Sequence, residues 1–200
     1  MTSDEPATSA ELTRRIRRLV SIVKSIAKHM ATHQGSEESA LHLAGRIAAI
    51  GRAAIAPPAG GMDFETLVLD ELLAQGVLRA PIRISGPAVQ LNAKSAELMS
   101  LVIHELATNA IKFGALSQSK TRLRVLWWFT EPADSRLHIE WAEEGVHMLH
   151  GMKRIPGFGS QVIKRLIASE LHGDGAMSFL DQGMLCTIEI PSSEALLENE

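Results

Sequence analysis

The run Pro57-Pro58-Ala59-Gly60-Gly61 limits what this chain can fold into more than any other feature. Its prolines lack the amide hydrogens that a helix interior or a central strand needs, and its glycines cost backbone entropy in either. The run therefore ends whatever precedes it and reads as a linker. On its two sides the 200 residues follow different periodicities.

Before the linker the pattern is helical. Leu12, Ile16, Leu19, Val23, Ile26 and Met30 recur at alternating steps of four and three, with Val20, Ile22 and Ala27 widening the seam. Gly35 and Ser36 interrupt it, and Glu37 and Glu38 suit the first turn of a second helix continued by Leu43, Ile47, Ile50 and Ala54. Residues 10–57 are thus expected to form a helical hairpin. Alone it buries too little, so it is expected to pair with a second copy as a four-helix bundle.

After the linker the pattern is mixed. Phe64 to Gln75 reads as a helix, and Ile82–Ser85 and Val89–Leu91 read as short strands around the turn Gly86-Pro87. Ala93 to Phe113 is a long, largely buried helix. Leu123–Phe129 and Leu137–Trp141 are rich in strand formers, and a helix is expected over Ser160–His172. Strands near Met177–Leu180 and Leu185–Ile190 close the chain. The fold class is α+β: a sandwich over residues 63–191 with helices on one sheet face.

Composition removes several classes. At 46% hydrophobic and 22% charged the chain is not disordered. No apolar run approaches the roughly 18 residues that cross a bilayer, and the N-terminus has no signal-peptide core, so no membrane contact and a cytoplasmic location are expected. The single Cys186 excludes a disulfide framework. Residues 1–60 hold 8 Lys/Arg against 5 Asp/Glu, and the rest 12 against 18. Four of those basic residues form one short run, Arg14-Arg15-Ile16-Arg17-Arg18, and there is no tyrosine, so no nucleic-acid partner is expected.

Three elements carry chemistry. Glu105, Asn109 and Lys112 stand at i, i+4 and i+7 of the long helix and share a face, with Leu98, Leu101, Val102, Leu106 and Ala110 opposite. A carboxylate, an amide and an ammonium so aligned suit an anion carried with a metal ion, or form a polar stripe that merely faces water. Gly157-Phe158-Gly159 opens the later helix, where glycines let backbone N–H groups approach phosphate or simply make a turn. Trp141-Ala142-Glu143-Glu144-Gly145 places an acid and a glycine at a strand end. That carboxylate can accept from an exocyclic amine, or be a plain strand terminus.

In this order the elements resemble a family. His104-Glu105-Leu106-Ala107-Thr108-Asn109-Ala110, with Lys112-Phe113-Gly114-Ala115-Leu116-Ser117 after it, is similar to the N box of the HWE group of sensor histidine kinases. Trp141-x-Glu143 resembles the group's tryptophan–glutamate signature and Gly157-Phe158-Gly159 its G box; Gly183, Thr187 and Pro191 sit where the family closes its domain with a strand hairpin. The resemblance runs from about Glu11 to Pro191. It implies a Bergerat-type ATP-binding fold that uses ATP and Mg²⁺, with Asn109 as magnesium ligand and Lys112 near phosphate. Glu143, with Gly145 beside it, would read adenine; Gly157 and Gly159 would form the triphosphate lid, and Thr187 would belong to the cofactor site. Glu105 would be the base for phosphoryl transfer, and His104 is either a second catalytic residue or a hydrogen-bonded structural histidine. The implied partners are a response-regulator receiver domain or another histidine kinase, besides a second copy of the hairpin.

Two departures qualify the likeness. Where the family has Glu-Leu-Asn-His-Arg-Val-Lys-Asn, this chain has Glu11-Leu12-Thr13-Arg14-Arg15-Ile16-Arg17-Arg18, so Arg14 holds the phosphoacceptor position. Its guanidinium stays protonated and is no nucleophile. His29, His33 and His42 lack the flanking residues of an acceptor. Val146-His147 replaces the family's Gly-Pro, which implies an altered lid over His147–Pro156. The reading is a two-component signalling protein that binds Mg·ATP but has lost the usual acceptor. The alternatives are a kinase that phosphorylates another histidine, its own or a partner's, and a regulatory module without nucleotide.

Overall fold

A computed structural model describes residues 37–55, 61–77, 81–130, 135–146 and 158–197. The first helix of the expected hairpin, the linker residues 56–60 and Arg14 lie outside these residues. The second helix is present as α1, Glu37–Ile55. The chain divides between Ile47 and Ala48 into two compact units, so the last two turns of α1 belong to the larger unit.

That unit begins with a short strand β1 (Met62–Asp63) that feeds helix α2 (Phe64–Ala74). Asp63 caps the helix: its carboxylate accepts from the Thr66 amide and hydroxyl, both at 2.8 Å. Strands β2 (Ile82–Ser85) and β3 (Gln90–Leu91) follow, then the long helix α3 (Ala93–Phe113). Strands β4 (Arg122–Phe129) and β5 (Arg136–Glu144), helix α4 (Phe158–Leu171), strands β6 (Asp174–Leu180) and β7 (Gly183–Pro191) and a one-turn helix α5 (Ser192–Ala195) complete it.

The main sheet runs in the order β2-β4-β5-β7-β6, with β2 parallel to β4 and every other pair antiparallel. The expected strands around Gly86-Pro87 do not pair with each other. β2 joins the main sheet, whereas β3 pairs with β1 in a separate ribbon. Alternation decides which sheet face is covered: Leu123, Val125 and Trp127, Leu137, Ile139 and Trp141, and Met184, Cys186, Ile188 and Ile190 are all buried. The ring of Phe64 from α2 meets Trp127 edge-on at 5.1 Å. From α4, Ile163, Ile167 and Leu171 enter the same core. The other face is more polar, though Trp128 stacks on His138 there with ring centroids 5.5 Å apart. Arg124 there pairs with Glu140 at 3.1 Å and Glu144 at 3.2 Å, and Arg136 with Glu189 at 3.0 Å. The α+β class and the helices on one sheet face are as the pattern predicts.

Asn92 ties the start of α3 to the C-terminal residues of the larger unit. Its side-chain oxygen accepts from the Ser95 amide at 2.9 Å and so caps α3, while its Nδ2 donates to Glu194 O at 2.7 Å and Leu196 O at 3.2 Å. Ser95 Oγ adds a bond to Glu194 O at 2.7 Å. Asn92→Ala loses the cap and two tethers at once, and chemical denaturation is expected to show a loss of about 2 kcal/mol.

Candidate functional site

Helix α3 is buried along most of its length because its apolar positions occupy more than one face. Leu98, Leu101, Val102, Leu106 and Ala110 are all in the core. The polar stripe beside them is graded: Glu105 is 5% exposed, Asn109 half-buried and Lys112 exposed. The stripe thus emerges from the core toward the helix C-terminus. A carboxylate kept from water at one end and a cation in water at the other suits a site entered from that end.

One residue round the helix runs a second polar line, Ser100, His104 and Thr108, and it faces α2. Ser100 Oγ lies 2.8 Å from Glu71 Oε1, and His104 Nδ1 lies 3.4 Å from Glu71 Oε2 and 3.2 Å from Gln75 Nε2. Gln75 Nε2 also donates to Thr108 Oγ1 at 2.8 Å. Glu71 and Gln75 are themselves four apart, so the two lines meet as a polar seam. At its inner end Arg52, from the last turn of α1, forks onto Glu71: Nε to Oε1 at 3.1 Å and Nη2 to Oε2 at 2.6 Å. Burial pushes the Glu71 carboxyl up. Hydrogen bonds from His104, Arg52 and Ser100, with the Arg52 charge, outweigh that and hold it below its ordinary 4.5.

The C-terminus of α3 is joined to β5 through Glu143. That carboxylate is 2% exposed; Oε2 accepts from the Ala115 amide at 2.7 Å and Oε1 from the Trp141 indole at 3.2 Å. Gly114 makes the approach possible, because a Cβ there would strike Glu143 Oε2. The loop after α3 is closed by Thr121, whose hydroxyl faces Ala115 O and, at 2.8 Å, Gln118 O. Gly145 turns the chain out of β5 with a φ of 74°, which a side chain rarely adopts, and a Cβ would stand 3.1 Å from Lys120 O.

The structure therefore brings Glu105, Asn109 and Lys112 onto one stripe, sets His104 beside that stripe, and gathers Glu143 and Gly145 around the loop that follows. Thr187 lies elsewhere: it is exposed on the polar sheet face, in register with Glu140 and Ala176, while its neighbours Cys186 and Ile188 point into the core. Burial pushes the Cys186 thiol up to about 12, so it acts as a small core residue. Helix α4 begins at Phe158, two residues earlier than expected, with Gly159 in its first turn. Gly157 and the lid residues 147–156 lie outside the described residues.

The reading of the sequence missed Arg52, Glu71, Gln75, Ser100 and Thr121. Glu71 had a signal. It falls among Leu67, Val68 and Leu72 on the apolar side of α2, where a carboxylate requires a partner. Among the described residues no three His, Cys, Asp or Glu side chains converge as a metal site. The donor set on α3 instead fits a magnesium ion that arrives with phosphates, since that ion takes only one or two protein oxygens.

No protein-family model matches the chain. It is similar to the blue-light-activated histidine kinase of Rhizobium johnstonii, with 30% identity over 189 residues that make up 92% of this chain and 52% of that protein. The protein of the same name from Brucella ovis is 32% identical over 112 residues, 55% of this chain and 22% of that one. The chain thus spans about half the length of the first relative and about a fifth of the second. The fold is that of the histidine kinase domain of the Erythrobacter litoralis blue-light-activated histidine kinase, with a TM-score of 0.59 at 15% identity over 94% of this chain and 96% of that domain. The longer chain of the same kinase gives 0.60 at 12% identity, over 90% of this chain and 63% of that one. The likeness to histidine kinases read from His104–Ser117 and Trp141–Glu143 is borne out.

The Glu71 seam has a pH signature. Its carboxyl titrates lower folded than unfolded, so its contribution is complete above 4.5 and disappears as pH falls through the folded value. Glu71→Gln is expected to cost about 1–2 kcal/mol at neutral pH, because Arg52, partly solvated itself, loses its partner. Urea denaturation between about pH 6 and pH 3 should show the two proteins converging toward acid.

Proposed function

We propose that this chain, a relative of the blue-light-activated histidine kinases, binds Mg·ATP on α3 and acts in two-component signalling without autophosphorylating at the usual position. The observation that supports this most directly is the graded stripe. Glu105 is held from water, Asn109 stands at the boundary and Lys112 reaches into solvent, on a helix whose other faces are core. A polar stripe that only faced water would not bury its carboxylate.

Each residue has a role that its surroundings permit. The Asn109 amide oxygen would hold a magnesium ion, and the Lys112 ammonium would pair with phosphate as a point charge. Glu105 accepts the proton of an incoming nucleophile. Glu143 and Gly145 form the wall on the adenine side, where a carboxylate is the group that can accept from an exocyclic amine. A nucleotide bound there would supply the phosphoryl group.

The hairpin of residues 10–57 pairs with a second copy and presents Arg14 where an acceptor histidine would stand. A guanidinium there cannot take a phosphoryl group, but it can pair with the acidic pocket of a receiver domain. The partner is therefore a response-regulator receiver or another histidine kinase, and residues 63–191 carry the nucleotide.

Asn109→Ala is expected to abolish Mg·ATP binding in isothermal titration while leaving the fold intact; unchanged affinity would refute the site. With γ-labelled Mg·ATP, the Arg14→His variant is expected to acquire acid-labile phosphate and the unmodified protein none. Label on the unmodified protein would mean that another histidine is the acceptor.

A further inference from the structure

The seam between α2 and α3 contains more acceptors than protons, and counting them assigns the protons. Ser100 has one hydroxyl hydrogen and two acceptors, Ala49 O at 2.7 Å and Glu71 Oε1 at 2.8 Å. His104 Nδ1 stands between an amide nitrogen of Gln75 and a carboxylate oxygen of Glu71, and one nitrogen cannot both accept and donate. Gln75 has two amide hydrogens and two oxygens to receive them besides the imidazole: Thr108 Oγ1 at 2.8 Å and His104 O at 3.4 Å. Its hydrogens are used without the ring. That arrangement leaves His104 Nδ1, 3.4 Å from Glu71 Oε2, to carry its hydrogen on the side of the buried carboxylate.

The position of the seam gives this consequence. Ser100, His104 and Thr108 recur every four residues along α3, and Glu105 and Asn109 are the next residues after His104 and Thr108. One step along the helix is about 100° of rotation. Apolar ridges tolerate small slides and rotations, because dispersion is not directional. Hydrogen bonds at three successive turns do not, since a slip of one residue would break all of them. The seam thus fixes where the Glu105–Asn109 stripe faces. Arg52 holds its inner end with a two-pronged grip, and Ala49 of the same helix competes for the Ser100 proton.

We infer that Arg52 and Glu71 are positioning residues for the nucleotide helix: Arg52 fixes the Glu71 carboxylate, and Glu71 fixes His104 with its proton on Nδ1, which sets the rotation of α3. The inference rests on the reading of α3 as the Mg·ATP helix and adds the residues that aim it. It also gives His104 a role in orientation, without contact with the nucleotide. The last turn of α1 acts on the site through Arg52.

The test uses the full chain, unmodified and as Arg52→Met, Arg52→Lys and Glu71→Gln. Nitrogen-15 imidazole spectra of the unmodified protein are expected to show His104 protonated at Nδ1, and this signature should be lost in Glu71→Gln. Arg52→Met is expected to weaken Mg·ATP binding about tenfold with circular dichroism unchanged. Arg52→Lys, which keeps the charge but not the fork, should restore affinity to within about threefold. Should Glu71→Gln not fold, the partly exposed Arg52 still carries the test. A bare Nδ1 on His104 in the unmodified protein would overturn the inference. So would an Arg52→Met protein that melts earlier yet binds Mg·ATP normally, because the seam would then be structural only. If the unmodified protein binds no Mg·ATP, the nucleotide reading itself fails and the inference with it.

Discussion

A carboxylate with almost no access to water, Glu71, stands where the end of α1, α2 and α3 meet, and the placement of those helices depends on satisfying it. Leaving it unpaired would cost several kcal/mol, so the surrounding residues are arranged around its two oxygens. Arg52 supplies charge and a fork, Ser100 a hydroxyl and His104 a ring nitrogen. The pair itself need not make the protein more stable than a well-packed apolar cluster would. What it adds is direction, which an apolar contact between two helices lacks.

Direction matters here because α3 serves two purposes. It is the central core helix, with Leu98, Leu101, Val102 and Leu106 all buried, and it bears the polar stripe that opens toward solvent at Lys112. A helix buried on several faces has little freedom to adjust to a ligand, so its rotation has to be set in advance. The seam along Ser100, His104 and Thr108 sets it on one side. At the C-terminal end Glu143 does so by bridging the Ala115 amide and the Trp141 indole, which ties the end of α3 to the middle of the sheet.

Much of the fold was legible in the sequence. The expected limits of α2, α3, β2 and β4 lie within about a residue of the observed ones, because helical spacing over Ala93–Phe113 and the strand formers of Leu123–Phe129 are short-range patterns. The Glu105, Asn109 and Lys112 stripe was equally legible, because helical spacing alone puts three residues on one face. Thr187 was not. It lies near a family signature in the chain, but the two-residue period of β7 turns it to the polar face and gives the core to Cys186. Nor did the strands around Gly86-Pro87 reveal that they enter different sheets, since neither carries any mark of its partner.

Among the described residues, the sequence by itself determined which segments are helix or strand and which residue types line one face of α3. These properties depend on spacing within a few residues. Only the tertiary structure decided that Glu71 belongs to Arg52, nineteen residues before it, and to Ser100, twenty-nine after it. The same holds for Glu143, which is held by the amide of Ala115, twenty-eight residues earlier. An acid in an apolar stripe announces that it must be satisfied. Which donor satisfies it depends on how distant segments are brought together by packing, and periodicity along a single element carries no record of that.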